Sequence, residues 1–378
     1  MNRSRNDYFN FTETGDHLED FQVSKEQIIK AVAYAVIMLL SLCGNTLVLV
    51  VVKKNIGGGM HSTHYYLLTS LAVIDLVITV GSMPERLTRA LTNDAWLVEG
   101  AIGVALCKAT NFFEKLSFNV STLSLVLIAV DRFLAVMFPH KKYFTNGKAF
   151  VAIGLTWLLS AVYWSPILYY GGLLQEDGKT LCKVRQFFTK WKIWYLLFLA
   201  QLLFSLVLVA ILYSSICYKL WRRNFHNAIG ARPSFNSNRA ARDLKISRKV
   251  LKMVAVVLIA FFICFLPYWI GWVFCSYYHS EFICDGTFIF VAIYLSYANS
   301  SFNPFIYCIF SESFRRAFKQ VVKDICPRSV CFRDTEIDPG LPPPRMPSNR
   351  LVEMVVHSVS KIEGQFEIEL TEESPKNE

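Results

Sequence analysis

Seven long apolar runs, separated by short polar loops, constrain this chain more than any other feature of its sequence. Each run holds about 20 apolar residues, the number that an α-helix rising about 1.5 Å per residue needs to cross the hydrocarbon of a bilayer. The runs contain too few polar residues to give any helix the wet face that a soluble bundle requires. The sequence therefore predicts an all-α membrane protein, a seven-transmembrane helix bundle, with spans at 28–54, 63–89, 104–137, 148–170, 190–221, 245–273 and 287–310.

Charge in the loops predicts the orientation of the bundle. Lysine and arginine cluster between spans one and two, three and four, and five and six, and again after span seven, which marks that side as cytoplasmic. The N-terminal tail is acidic and carries two glycosylation sequons, at Asn2 and Asn10, so it is expected outside a plasma membrane. The net charge of +10 is concentrated on the cytoplasmic side, where it would meet membrane lipid and acidic proteins, and it does not indicate nucleic-acid binding. We expect an extracellular tail at 1–27, a seven-span helical domain at 28–326 and a disordered cytoplasmic tail at 327–378.

Four of the ten cysteines fall on the predicted outer side, Cys107, Cys182, Cys275 and Cys284. That compartment is oxidising, and four cysteines allow three connectivities. The economical choice closes the short third outer loop with Cys275–Cys284 and leaves Cys107 to pair with Cys182.

A hairpin is predicted around Cys182, because Asp177-Gly178 separates two strand-like runs and glycine supplies the positive φ of a tight turn. Such a hairpin over the mouth of a helix bundle suits an extended peptide ligand. The alternative is a lid without a binding role.

Ionisable and polar side chains inside the spans are candidates for function, because they are expensive in hydrocarbon. Glu114 lies in the outer half of span three, beside Lys115, and Glu85 follows Pro84 near the outer end of span two. Aromatic residues near an acid suit a cationic ligand group, either an amine or an arginine side chain. The predicted ligand-binding residues are Glu114, Glu85, Tyr268, Trp272, Tyr294 and Tyr297.

A second polar group lies deeper, around Asp75 in the middle of span two. Its oxygen-bearing neighbours would suit a hard monovalent cation or a water cluster, or would satisfy one another across helices. Helix-breaking prolines supply kinks for a conformational change. The predicted members of this group are Asp75, Asn45, Ser121, Asn299 and Asn303, and the prolines are Pro84, Pro166, Pro267 and Pro304.

Short motifs in all seven spans, in the same order, carry a family resemblance. The chain resembles the rhodopsin-like (class A) G-protein-coupled receptors over residues 28–326, and within them it is most similar to receptors for neuropeptides. The matching residues are GNTLV in span one, LAVIDL in two, Cys107 with DRFLAV in three, Trp157 and Pro166 in four, LY with Tyr213 in five, CFLPYW in six and NPFIY in seven.

The resemblance implies roles for these residues. Arg132 would be held by Asp131 at rest and would turn toward Tyr213, Tyr307 and a heterotrimeric G protein on activation. The Asp75 group would be the family's allosteric sodium site. The remaining switch residues implied are Phe265, Pro267, Asn303 and Pro304.

The resemblance also implies a short amphipathic eighth helix at 311–326, with Phe314, Ala317, Phe318 and Val321 facing lipid. Palmitoylation is expected at Cys326 or Cys331. Serines and threonines of the tail would be substrates of a receptor kinase and would recruit an arrestin.

Three departures from the family pattern stand out: Phe133 in place of the DRY tyrosine, Phe265 in place of the usual tryptophan of span six, and Ser205 in place of a proline in span five. A biogenic-amine receptor is the alternative within the family. Outside it, a secondary transporter would show internal repeats, and an enzyme would show a motif such as HExxH or GxSxG; the sequence shows neither.

Overall fold

The computed structural model describes residues 23–55, 62–138, 141, 143–176, 178–184, 192–230, 235–277 and 284–325. The predicted glycosylation sites Asn2 and Asn10, the palmitoylation sites Cys326 and Cys331, and the C-terminal tail lie outside these residues. All described residues belong to one compact unit, Met1–Ile325.

Helices dominate the described part of the chain, and each predicted span is helical. The elements in chain order are α1 (Lys25–Lys54), α2 (Thr63–Gly81), α3 (Met83–Leu91), α4 (Gly100–Met137), α5 (Asn146–Trp164), α6 (Pro166–Tyr170), β1 (Gly172–Glu176), β2 (Lys179–Lys183), α7 (Lys192–Gly230), α8 (Phe235–Tyr277), α9 (Gly286–Phe310) and α10 (Glu312–Ile325).

Two spans are broken near a proline. Span two consists of α2 and α3, separated at Ser82 with Pro84 in the first turn of α3. Span four consists of α5 and α6, with Pro166 opening α6. Proline is tolerated in a first turn because its missing N–H would have no intrahelical acceptor there. The other two, Pro267 and Pro304, lie inside α8 and α9.

Six membrane spans among the described residues are long and apolar enough to cross a bilayer: Lys25–Lys54, Thr63–Leu91, Gly100–Met137, Asn146–Tyr170, Leu196–Arg222 and Leu251–Cys275. The seventh predicted span, α9, is also a long helix, but asparagines and serines in its second half reduce its mean hydropathy. Asp285 caps its start: the backbone N–H of Thr287 donates to the carboxylate at 2.9 Å, which lowers the pKa of Asp285. Helix α1 packs closely on α9, because a Cβ on Gly44 would lie 2.8 Å from Cγ of Pro304.

The predicted hairpin forms between β1 and β2, which pair antiparallel with Leu173 opposite Cys182. Gly178 in the turn has φ +73°, as the sequence predicted. Disulfides join Cys107 to Cys182 and Cys275 to Cys284, which are the pairings expected. We call the end of the bundle that carries this hairpin the hairpin end, and the opposite end, with Arg132 and α10, the far end.

Helix α10 does not present its apolar face to lipid as the sequence suggested. Its four apolar residues are buried against the bundle, where Phe314 stacks on Tyr307 and packs against Tyr65. The bundle itself provides an apolar surface for this face, so no lipid is needed to cover it. The residues concerned are Phe314, Ala317, Phe318 and Val321.

Candidate functional site

A buried carboxylate, Glu114 on α4, is the centre of a charged cluster in the half of the bundle nearest the hairpin. Its Oε2 accepts hydrogen bonds from Nη2 of Arg86 at 2.6 Å and from the hydroxyl of Tyr297 at 2.9 Å. Nε of Arg86 also donates to the Tyr297 hydroxyl, at 3.1 Å. One carboxylate oxygen therefore connects α3, α4 and α9.

The other oxygen of Glu114 serves a second cation. Nζ of Lys115 donates to Oε1 at 2.6 Å and to the hydroxyl of Tyr268 on α8 at 2.5 Å. The side chain of Glu114 is only 3% exposed, so the carboxylate has exchanged water for two cations and a phenol. We call Arg86, Glu114, Lys115, Tyr268 and Tyr297 the Glu114 cluster.

Arg86 was not among the residues singled out from the sequence, although it is the principal partner of Glu114 across helices. It also lies 3.4 Å from Glu85, whose carboxylate bonds Arg89 at 3.0 Å. A charge inside a span nearly always needs a counter-charge. An inventory of ionisable residues in the outer halves of the spans would have included Arg86.

The structure brings four of the six predicted ligand-binding residues to this cluster or its edge: Glu114, Tyr268, Tyr297 and, through Arg86, Glu85. The other two lie elsewhere. Tyr294 packs edge-on against Tyr34 of α1, with ring centroids 5.7 Å apart. Trp272 lines a cavity of about 230 Å³ between α8 and α9, which Tyr268 also lines.

An aromatic column continues from the cluster toward the far end. Nζ of Lys115 lies 5.4 Å from the ring centroid of Phe118, and Phe118 meets Phe265 edge-on at 4.8 Å. Phe265 in turn packs on Phe261 at 4.4 Å. Phe265, which replaces the family's usual tryptophan, therefore contacts Phe118, and Phe118 in turn contacts Lys115 of the Glu114 cluster.

The five members of the Asp75 group are buried, and among the described residues one hydrogen bond joins two of them directly. Nδ2 of Asn303 donates to Asp75 Oδ2 at 2.8 Å. The Asn45 amide donates to the backbone oxygen of Ser300 at 2.9 Å, and its Oδ1 is buried with no donor among the described residues. Ser121 and Asn299, the remaining predicted members, are also buried.

At the far end, Arg132 bonds Asp131, its neighbour in sequence, through Nε at 2.9 Å and through Nη2 to the same oxygen. Two tyrosine hydroxyls predicted to receive this arginine, on Tyr213 and Tyr307, are buried and find no hydrogen-bond partner within the described ranges. The ion pair therefore involves residues of α4 alone among the described contacts. The hydroxyls of Tyr213 on α7 and Tyr307 on α9 are buried without a hydrogen-bond partner among the described residues.

Comparison with known proteins identifies the family. Residues 44–307 match the sequence model of the 7 transmembrane receptor (rhodopsin family). This chain belongs to the rhodopsin family of seven-transmembrane receptors. Its similar relatives include galanin receptor 2b of Danio rerio, 28% identical over 317 residues that cover 80% of this chain and 77% of the relative. Neuropeptide FF receptor 1 of Homo sapiens is 29% identical over 317 residues, covering 79% and 71% of the two chains.

Membership of the rhodopsin family confirms the resemblance inferred from the seven motifs. It also indicates the localisation of the protein: members of this family are multi-pass receptors of the plasma membrane. The enzyme and transporter alternatives do not apply, because the family consists of receptors.

Proposed function

We propose that this protein is a receptor for an extracellular neuropeptide and that it activates a heterotrimeric G protein. The observation that carries the proposal is similarity over about four fifths of the chain to receptors named for galanin and for neuropeptide FF. That similarity favours a peptide over the alternative, a biogenic amine. The basic loops support an orientation in which the hairpin end is extracellular and the far end faces the cytoplasm.

The ligand would enter at the hairpin end and reach the Glu114 cluster. Glu114 already holds two cations, so a basic group of the ligand must displace one of them, either Arg86 or Lys115. Glu85, Trp272 and Tyr294 would contact parts of the ligand that lie nearer the hairpin. One ion pair at Glu114 replaces another, and the cost of the exchange depends on where the displaced cation finds a new partner.

Displacing Lys115 would have a direct consequence for α8. Lys115 bonds Tyr268 and lies over Phe118, which contacts Phe265. Movement of this lysine would release Tyr268 from α4 and allow Phe265 to repack. Pro267, which interrupts the hydrogen bonds of α8 near both residues, would act as the hinge.

At the far end, Arg132 would leave Asp131 and turn toward the unpaired hydroxyls of Tyr213 and Tyr307. Its guanidinium would then face the G protein. Asn303 and Pro304, which lie close to Tyr307 on α9, would permit the accompanying change in that helix.

The buried polar group around Asp75 would hold a sodium ion that stabilises the inactive receptor. The fit rests on donor chemistry: carboxylate, amide and hydroxyl oxygens suit a hard cation, and Oδ1 of Asn45 is a buried acceptor without a donor among the described residues. Asp75, Asn45, Ser121, Asn299 and Asn303 would supply these oxygens, and the ion would supply positive charge beside Asp75.

Further partners are expected on the cytoplasmic side. A receptor kinase and an arrestin would act on the tail. Membrane lipid would take palmitate attached at Cys326 or Cys331. Glycans at Asn2 and Asn10 would lie outside.

A screen in cells that report G-protein activation tests the proposed function. A neuropeptide library and a panel of biogenic amines are applied in parallel to cells expressing the receptor and to cells expressing its Arg132→Ala variant. We expect a saturable response to one or more peptides that disappears in the variant. A response confined to amines would contradict the peptide assignment.

A further inference from the structure

A buried amide pair attaches α7, the helix of span five, to α4. Nε2 of Gln201 on α7 donates to Oδ1 of Asn119 on α4 at 2.6 Å. Asn119 is buried and follows Lys115 by one helical turn, on the same side of α4. The Glu114 cluster contains residues of α3, α4, α8 and α9, so this amide pair extends the polar contacts between helices to α7.

The same part of α7 carries the serine that replaces the family's usual proline of span five. Ser205 is buried, and its hydroxyl donates to the backbone oxygen of Gln201 at 2.8 Å. A proline would remove a backbone donor and interrupt the helix, whereas a serine keeps the backbone N–H and adds a second donor to that oxygen. Helix α7 is accordingly continuous over Lys192–Gly230, so it can move as one body.

A second attachment between α4 and α7 lies at the far end. Nζ of Lys219 on α7 donates at 2.7 Å to the backbone oxygen of Met137, the last residue of α4. The last carbonyls of a helix have no intrahelical donor and carry partial negative charge, so a lysine suits them. The two helices are therefore joined both near the middle of α4 and at its end.

The two attachments are in register. Gln201 and Lys219 lie 18 residues apart, and so do Asn119 and Met137. At 3.6 residues per turn this separation is about five full turns, so Gln201 and Lys219 lie on one face of α7. Tyr213 lies about 120° around α7 from that face. A helix attached at two points of one face cannot rotate about its own axis without breaking the attachments.

We propose that these two hydrogen bonds hold α7 in its resting rotation and that activation of the receptor breaks them. The inference rests on the proposed function, in which Arg132 leaves Asp131 and meets the hydroxyl of Tyr213. In the resting arrangement that hydroxyl has no hydrogen-bond partner among the described residues. Rotation of α7 brings Tyr213 toward α4, and the same rotation carries Gln201 and Lys219 away from their acceptors.

The two bonds differ in how much they resist this rotation. Lys219 is partly exposed near the end of its span, so water can replace the carbonyl of Met137 when the bond breaks. Separating Gln201 from Asn119 leaves amide groups unpaired inside the bundle, which is more costly. We therefore expect the amide pair to provide most of the resistance and Lys219 the smaller part.

The position of α7 can be measured without a ligand or a G protein. Cys43 on α1 and Cys217 on α7 are both exposed and accept spin labels. The distance between the two labels is measured by pulsed electron paramagnetic resonance on the purified full-length receptor. We expect one main distance in the otherwise wild-type receptor. The receptor used for labelling carries Cys308→Ser, Cys326→Ser and Cys331→Ser, so that these cysteines do not compete for the label.

Variants of the amide pair should add a second distance that corresponds to rotated α7. Gln201→Leu and Asn119→Leu should each do so, and their combination should add little, because both remove the same bond. Lys219→Met should populate the second distance less. Asn119→Gln combined with Gln201→Asn keeps the number of atoms across the pair and should restore the single distance. Gln175→Leu, the same chemical change at an exposed position of β1, is the matched control and should leave it unchanged.

Melting temperatures establish that each variant is folded, and Gln201→Met replaces Gln201→Leu if the latter is not. A single unchanged distance in Gln201→Leu combined with Lys219→Met would overturn the proposal. So would a second distance that appears equally in Gln175→Leu.

Basal G-protein activation in cells, at matched surface expression, distinguishes this inference from the proposed function on which it rests. Gln201→Leu should raise basal activation severalfold, whereas Gln175→Leu should not. A second distance in Gln201→Leu without any G-protein activation would support the rotation of α7 and would contradict the proposed function instead.

Discussion

Two charged sites in the same bundle are built in opposite ways. At the hairpin end, Glu114 has both oxygens occupied, and its hydrogen bonds reach three other helices through Arg86, Tyr297 and, by way of Lys115, Tyr268. At the far end, Asp131 bonds only its neighbour Arg132 among the contacts that the described residues provide. The first site connects helices, whereas the second is confined to one turn of α4.

The difference indicates how a signal could pass between the two ends. A carboxylate shared between helices fixes their relative positions, and removing any partner leaves a buried charge unpaired. A pair within one helix fixes nothing beyond that helix, so Arg132 can leave at small cost to packing. We infer that the Glu114 cluster determines when the helices move and that the Asp131–Arg132 pair responds to the movement.

The largest effect should follow removal of the charge from Glu114. Glu114→Gln leaves Arg86 and Lys115 buried with less negative charge, and breaking a buried pair typically costs about 3–5 kcal/mol. We expect a marked fall in melting temperature and in cell-surface expression.

Two further variants sharpen this result. Glu176→Gln breaks a partly exposed pair with Lys183 in the hairpin and should cost no more than about 1 kcal/mol. Glu114→Gln combined with Lys115→Gln removes one unpaired cation and should recover part of the loss. Equal effects of Glu114→Gln and Glu176→Gln would show that the cluster does not hold the helices.

An intermediate effect is expected at Asp75. Sodium at ten times its Kd would stabilise the receptor by about 1.4 kcal/mol, so replacing choline chloride with sodium chloride should raise the melting temperature. Asp75→Asn should abolish this increase, whereas Asp324→Asn, on the exposed face of α10, should retain it. A sodium effect that persists in Asp75→Asn would place the ion elsewhere.

The smallest effect on stability is expected at the far end. The hydroxyls of Tyr213 and Tyr307 are buried with no hydrogen-bond partner among the described residues, so Tyr213→Phe and Tyr307→Phe should not lower the unfolding free energy. Ligand-stimulated G-protein activation should nevertheless fall severalfold, because Arg132 loses its acceptors in the active state. If these two variants were much less stable than the wild type but signalled normally, the proposed difference between the hairpin end and the far end would be contradicted.

The sequence predicted the spans, the hairpin turn at Gly178 and both disulfides, because each depends on local pattern or on the spacing of a few residues. It predicted kinks at four prolines, and the helices are interrupted near two of them, Pro84 and Pro166. It did not predict that Arg86 would pair with Glu114. That contact depends on how α3, which begins after the break at Ser82, packs against α4. A packing arrangement between two helices cannot be predicted from the local sequence pattern of either one. The burial of Phe314 against Tyr307 was missed for the same reason, since an amphipathic helix has the same periodicity whether lipid or protein covers it.

Basal G-protein activation by Asp131→Asn tests the central inference most directly, because it needs no ligand. The substitution removes the charge that holds Arg132, and Asp324→Asn serves as a control with the same chemical change on the same side of the bundle. At matched surface expression, we predict that Asp131→Asn signals severalfold above wild type and that adding Arg132→Ala returns it to the background of untransfected cells. Basal activity of Asp131→Asn at or below that of wild type would contradict the account.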